Sequence, residues 1–171
     1  VIIDISSNID YADKIIDAQN YIVTPGFIDS HTHPIFSNNR SNEFQERCNG
    51  KTYEEIAKTG GGILSSVRGV RNMDEGRLFD YCMKNINYFI INGTTTIEAK
   101  SGYGLSLEDE IKSLQVIKKI NKNSDLDLIP TFMGAHAFPS EYINDKNSYI
   151  DLICNDMIPR ISEQCLAEFC D

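Results

Sequence analysis

From residue 21 onwards, segments with the period of a strand alternate with segments with the period of a helix. This alternation constrains the fold most, because parallel strands cannot be joined by a tight turn and need a crossover, usually a helix. Residues 21–30 read as a first strand, with a bend at Pro25-Gly26. Thr52-Tyr53-Glu54-Glu55 has capping-box spacing and opens a short helix that Gly60-Gly61-Gly62 stops. Asn72 with Glu75 offers a second cap, ahead of Leu78, Cys82, Ile86, Phe89 and Ile90 at helical spacing, and Gly93 ends that helix. The β-branched run 94–99 is the next strand, followed by the loop Lys100-Ser101-Gly102-Tyr103-Gly104. Ser106 then caps a helix whose apolar stripe is Leu107, Ile111, Leu114, Ile117 and Ile120. Residues 126–135 form a third strand that delivers Gly134-Ala135-His136, residues 149–162 are more weakly helical, and 166–170 start a fourth strand.

The order fits an α/β protein, either a doubly wound sheet or about the first four strands of an incomplete TIM-like (β/α)8 barrel, which needs about 250 residues to close. Residues 21–171 fill that half barrel, while residues 1–20 fit no barrel unit and read as the end of a small β-rich, sandwich-type domain. The chain starts at Val1, and its first 16 residues have neither the basic head nor the apolar body of a secretory signal, so it reads as part of a longer protein. The formal net charge of -9 argues against nucleic acid and anionic membranes as partners, since both are bound largely through Lys and Arg. No apolar run approaches the roughly 20 residues that cross a bilayer. The cysteines, Cys48, Cys82, Cys154, Cys165 and Cys170, are odd in number and hold no C-x-x-C pair. They read as reduced thiols of a cytoplasmic protein, with Cys165 and Cys170 as small core residues.

His31-Thr32-His33 stands at the end of the first strand, where residues two apart share a face. Two neutral imidazoles there can bind one first-row metal ion, or they are ordinary surface histidines. Carboxyl ends of barrel strands are where such enzymes place their chemistry, and His31, His33 and His136, the chain's three histidines, all fall at such ends. By residue type alone Arg40 is equally an exposed loop arginine, Tyr53 a packing residue at the second position of a capped helix, Tyr103 a groove-filling loop aromatic, and His136 a hydrogen-bonded core histidine. Gly60 to Gly62 either form a backbone nest for an anion or let a loop pass close to the mouth of a site, and the second reading is preferred.

The run Pro-Gly-Phe-Ile-Asp-Ser-His-Thr-His-Pro resembles the first barrel strand of the amidohydrolase superfamily. Further motifs narrow the resemblance to the imidazolonepropionase family: Phe36 with Arg40 and Glu43-Phe44, Thr52-Tyr53, Gly60-Gly61-Gly62-Ile63-Leu64, Lys100-Ser101-Gly102-Tyr103-Gly104-Leu105, and Pro130 through Ala137. It covers about residues 20 to 171, a span set by motif matching. It implies hydrolysis of the cyclic amide of 4-imidazolone-5-propanoate to N-formimino-L-glutamate in histidine degradation, a small-molecule substrate and, in some members, a homodimer. It also implies His31 and His33 as ligands of one divalent or trivalent metal ion, zinc or iron. Arg40 would bind the substrate carboxylate, Tyr53 and Tyr103 would line its pocket, and His136 would contact the ring and assist proton transfer. A third His, an Asp and a proton-handling Glu are implied beyond Asp171, so the segment alone is expected to be inactive. Lys100 lies on the second strand rather than where relatives carry a metal-bridging lysine, which implies a mononuclear site. Ser37-Asn38-Asn39 departs from the family's glycine-rich segment, and Asn, which tolerates positive φ, is expected to keep the turn. Two other readings stand beside this one: an amidohydrolase acting on another ring, such as a nucleobase, which has no use for Arg40, and a non-catalytic metal-binding or interaction module.

Overall fold

Strand β1 (Phe27–Thr32) begins where Phe27 donates its amide to the Gly93 oxygen at 2.8 Å. The computed structural model describes residues 2–7, 9 and 11–171. Of the segment expected to close a β-rich domain, Val1, Asn8 and Asp10 lie outside the described residues, and the rest of residues 2–20 carries neither helix nor strand. The first strand therefore differs from the expected 21–30. Pro25 has no amide to give to a ladder, Tyr21, Ile22 and Val23 stay exposed, and pairing starts only after Gly26 and runs on to Thr32.

Strands β2 (Thr94–Lys100), β3 (Asp127–Phe132) and β4 (Phe169–Cys170) follow, and the four lie in the order β1-β2-β3-β4, all parallel. This is a curled α/β half barrel, compatible with the incomplete barrel expected. The third strand is shorter than 126–135 because Gly134–His136 winds into a 3-10 turn, His136 donating its amide to the Met133 oxygen. The fourth is shorter than 166–170 because Cys165, at φ 48, turns the chain out of the preceding helix.

Between the strands come α1 (Ser41–Cys48), α2 (Tyr53–Lys58), α3 (Ile63–Asn72), α4 (Glu75–Ile91) and α5 (Leu107–Asn121). The capping box is formed as its spacing predicts, Thr52 and Glu55 exchanging bonds at the head of α2. Ser106 likewise accepts the Asp109 amide and heads α5. Asn72 is not the cap of α4, because it closes α3; Asp74 takes the role and accepts the Arg77 amide at 2.9 Å. The weak helical region 149–162 is a longer rod made of α6 (Lys146–Leu152), a π turn (Ile153–Met157) and α7 (Ile158–Glu163).

Alternation along β2 separates two faces. Ile97 and Ala99 are buried against Leu78, Cys82, Ile86, Leu114, Ile117 and Ile120 of α4 and α5. Thr96 and Glu98 point the other way, into an open hollow of about 350 Å³ shared with Ile28, Ile129 and Phe169. Cys82 is the buried cysteine; Cys165 and Cys170, expected in the core, are exposed, one in the turn that ends α7 and the other on the edge strand. Among the described residues no cysteines are paired, and no helix is long and apolar enough to cross a membrane.

Candidate active site

The carboxyl ends of β1, β2 and β3 form one rim, and the pleat decides what stands on it. His31 and His33 share a face while Thr32 between them is buried, its hydroxyl donating to the Glu98 oxygen at 2.6 Å. Loop 101–105 adds Tyr103, and the 3-10 turn after β3 adds His136. His33 stacks on His136 with ring centroids 4.6 Å apart and planes 11° from parallel. Tyr103 tilts against both at 5.1 and 5.4 Å, and His31 meets His33 edge-on at 5.6 Å. The structure thus brings together four of the six residues singled out from the sequence.

Two main-chain oxygens orient the imidazoles. His33 Nδ1 lies 3.1 Å from the Ser101 oxygen, and His136 Nδ1 lies 3.0 Å from the Gly102 oxygen. A carbonyl can only accept, so each Nδ1 donates, and Nε2 is the ring nitrogen of each imidazole outside that bond. Burial, then the neighbouring His136, push the His33 imidazole down to about 4, against the opposing pull of its Ser101 hydrogen bond. It is therefore neutral near pH 7, the form in which histidine ligates metals. Gly102 has φ 101, and a Cβ there would stand 2.8 Å from the Met133 oxygen and 2.9 Å from His136 Nδ1, so only glycine fits.

Arg40 and Tyr53 occupy a second patch beside this cluster. Arg40 heads α1 and donates from Nε to Glu43 at 2.8 Å, and the Glu43 carboxylate also accepts the Gly62 amide at 3.1 Å. In the triglycine run the Gly62 amide holds an anion, the protein's own Glu43. Arg40, Glu43, Phe44, Arg47, Tyr53 and Ile56 line a hollow of about 270 Å³. Burial pushes the Tyr103 hydroxyl up in pKa while the Arg40 charge pulls it down, which puts that tyrosine within electrostatic reach of the patch. The Ser37-Asn38-Asn39 turn is not kept by positive φ as expected, since none of the three adopts it. The Asn39 side chain instead accepts from the Ser41 amide and hydroxyl, and Asn38 donates to Ser65.

Lys100 is buried and occupied by ion pairs, donating to Glu98 at 2.9 Å and to Asp171, while Glu98 also accepts from Thr131. Burial raises the Glu98 carboxyl, but the hydrogen bonds from Lys100 and Thr131 outweigh it and leave it below the usual range. The Lys100 hydrogen bond and charge hold Asp171 low, with smaller contributions from His31 and His33. Sequence reasoning missed Glu98 and Asp171, and also Glu110 of α5, a fully buried carboxylate behind loop 101–105. Its signal was present: Glu110 lies three residues after Leu107 and four before Leu114, on the apolar stripe, where a charged residue needs internal partners.

His31 and His33 are nitrogen donors of the kind that zinc and iron take, their ring centroids 5.6 Å apart. Among the described residues no group of three or more His, Cys, Asp or Glu side chains is disposed to hold a metal.

A curled parallel sheet carrying its imidazoles on the carboxyl rim defines a half-barrel protein of the α/β class with a polar site where barrel enzymes have theirs. No family model matches the chain. Among curated proteins it is 47% identical over 158 residues to imidazolonepropionase of Solibacter usitatus and, over the same length, 47% identical to that of Clostridium tetani. It is 50% identical over 157 residues to imidazolonepropionase of Aliivibrio fischeri. Each match covers 92% of this chain and 38% of the relative. The chain is a sequence relative of the imidazolonepropionases, and it spans about two fifths of the length of those it matches.

Proposed function

We propose that the chain is the amino-terminal part of an imidazolonepropionase, a hydrolase of cyclic amide C–N bonds that converts 4-imidazolone-5-propanoate to N-formimino-L-glutamate in histidine degradation. The observation that carries this reading is the gathering of His31, His33, Tyr103 and His136 on one rim, in a chain 46–50% identical to proteins of that name. Residues 21–171 are the first half of the barrel, with strand pairing from Phe27 onwards.

Arg40 binds the propanoate. Its Nε is taken by Glu43, which leaves the two terminal nitrogens as a planar pair matched to a carboxylate. Tyr53 and Tyr103 wall the pocket between that anchor and the imidazoles. Hydrolysis adds water to the ring carbonyl carbon, breaks the ring C–N bond and delivers a proton to the departing nitrogen. His136 is suited to carry that proton: with Nδ1 anchored on the Gly102 oxygen, its Nε2 takes the proton released by the attacking water and passes it to the departing nitrogen. His31 and His33 supply two of the ligands of one zinc or iron ion, which when bound activates water and polarises the carbonyl. The remaining ligands and the proton-handling Glu come from later strands. We place the protein in the cytoplasm, acting on a small molecule, with no nucleic-acid or membrane partner.

The test is the loss of imidazolone ultraviolet absorbance when imidazolonepropanoate meets the full natural polypeptide containing this segment, with and without a chelator. Chelator-sensitive loss is expected. A folded, metal-loaded protein that leaves the absorbance unchanged would move the function to another substrate.

A further inference from the structure

Loop 101–105 touches both oriented imidazoles through its carbonyls, and something must hold those carbonyls still. The Glu110 carboxylate is fully buried and accepts the amides of Gly102 at 3.1 and 3.2 Å, Gly104 at 2.8 Å and Leu105 at 2.9 Å. On the other side of the loop, Arg71 of α3 donates to the Gly104 and Leu105 oxygens at 2.7 and 2.8 Å and pairs with Glu141 at 2.8 Å. Amides and carbonyls of one short loop are thus each met by an ionisable side chain. Burial pushes the Glu110 carboxyl up in pKa, against the pull of its hydrogen bonds with Ser101 and with the Leu105, Gly104 and Gly102 amides; charged or neutral, its oxygens are the acceptors of those amides.

The loop needs such holding. Leu105 is a branched residue at φ 51, a left-handed conformation that its side chain disfavours, and Gly102 sits at φ 101. Ser101 adds a further tie, its hydroxyl accepting the Met133 amide at 3.0 Å just before the His136 turn.

We infer that Glu110 is a positioning residue: through the amides of loop 101–105 it holds the Ser101 and Gly102 carbonyls where they keep His33 and His136 as Nδ1–H tautomers, with Arg71 steadying the same loop from outside. The chain of contacts runs from Glu110 to the Gly102 amide, through that residue to its carbonyl, and on to His136. A parallel path reaches His33 through Ser101. Arg40 is independent of it, being held by Glu43 and Gly62. Loosening the loop should therefore disturb the imidazoles while leaving the carboxylate anchor in place.

The kinetic part of the inference rests on the function proposed above; the tautomer part does not. Glu110→Gln keeps the side-chain volume and one acceptor oxygen but opposes an NH2 group to the loop amides. In the full natural polypeptide carrying E110Q, solid-state 15N spectra of histidine-labelled protein, with the His136 signal assigned by H136N, should show a mixture of tautomers at His136 in place of Nδ1–H alone; His33, whose Nε2 would be on the metal, is not the reporter. With imidazolonepropanoate, kcat should fall at least about tenfold, with a smaller rise in KM because Tyr103 rides on the same loop, the reverse of an anchor mutation. Tautomers unchanged in E110Q, or kcat within about twofold of the parent, would overturn the inference. Should E110Q fail to fold, R71Q, on the half-exposed side of the loop, is expected to shift both readings the same way. A parent protein without imidazolonepropanoate turnover would count against the proposed function alone, and the histidine spectra would then decide the role of Glu110.

Discussion

Arg40 shows how a side chain of ordinary type becomes specific through its neighbours. Glu43 accepts from its Nε and is itself held by the Gly62 amide, so the guanidinium is oriented before any ligand arrives. Arg40→Ala should raise KM for imidazolonepropanoate by about 10- to 100-fold with a smaller change in kcat, measured by steady-state kinetics on the full polypeptide. An unchanged KM would remove Arg40 from the pocket. At this scale the sequence told much about the histidines, because their type is rare and their positions follow from the strand period. It told little about Glu110, whose meaning depends on the loop folded over it, or about Glu98 and Asp171, which Lys100 joins from different strands.

Elements were legible wherever a local signal and a tertiary one agreed. Helix α5 has both, a Ser106 cap and a buried stripe, and its bounds match the pattern. Helix α1 buries no residue and so has no apolar stripe to read, and α3 is interrupted by Ser65, Ser66 and Gly69. Neither stood out in the sequence. The 21–30 segment misled in the opposite direction: it is rich in strand formers, yet its first part has no neighbour to pair with. Propensity describes what a segment can do, and pairing decides what it does. The cap of α5 provides a test at this scale. Ser106→Ala removes the acceptor of the Asp109 amide and should destabilise the fold by about 1 kcal/mol. In a urea titration the midpoint should fall with the slope unchanged; an unmoved midpoint would mean that water or a neighbour replaces the hydroxyl.

For the molecule as a whole, the repeating order of strand and crossover was legible, and the sheet has the topology it implied. Closure into a barrel was not, because four parallel strands in sequential order leave the sheet open at β1 and β4. Expressed alone, the 171-residue chain is expected to hydrolyse no imidazolonepropanoate at any metal concentration, assayed by ultraviolet absorbance, and chelator-sensitive turnover would refute this. The strand order has one more consequence, which concerns how such a sheet is made. Each strand pairs with the strand just before it in the chain, so no pairing waits for a segment not yet synthesised. Assembly can keep step with translation: each new strand finds its template already on the sheet edge, and the loop to be closed is never longer than one crossover.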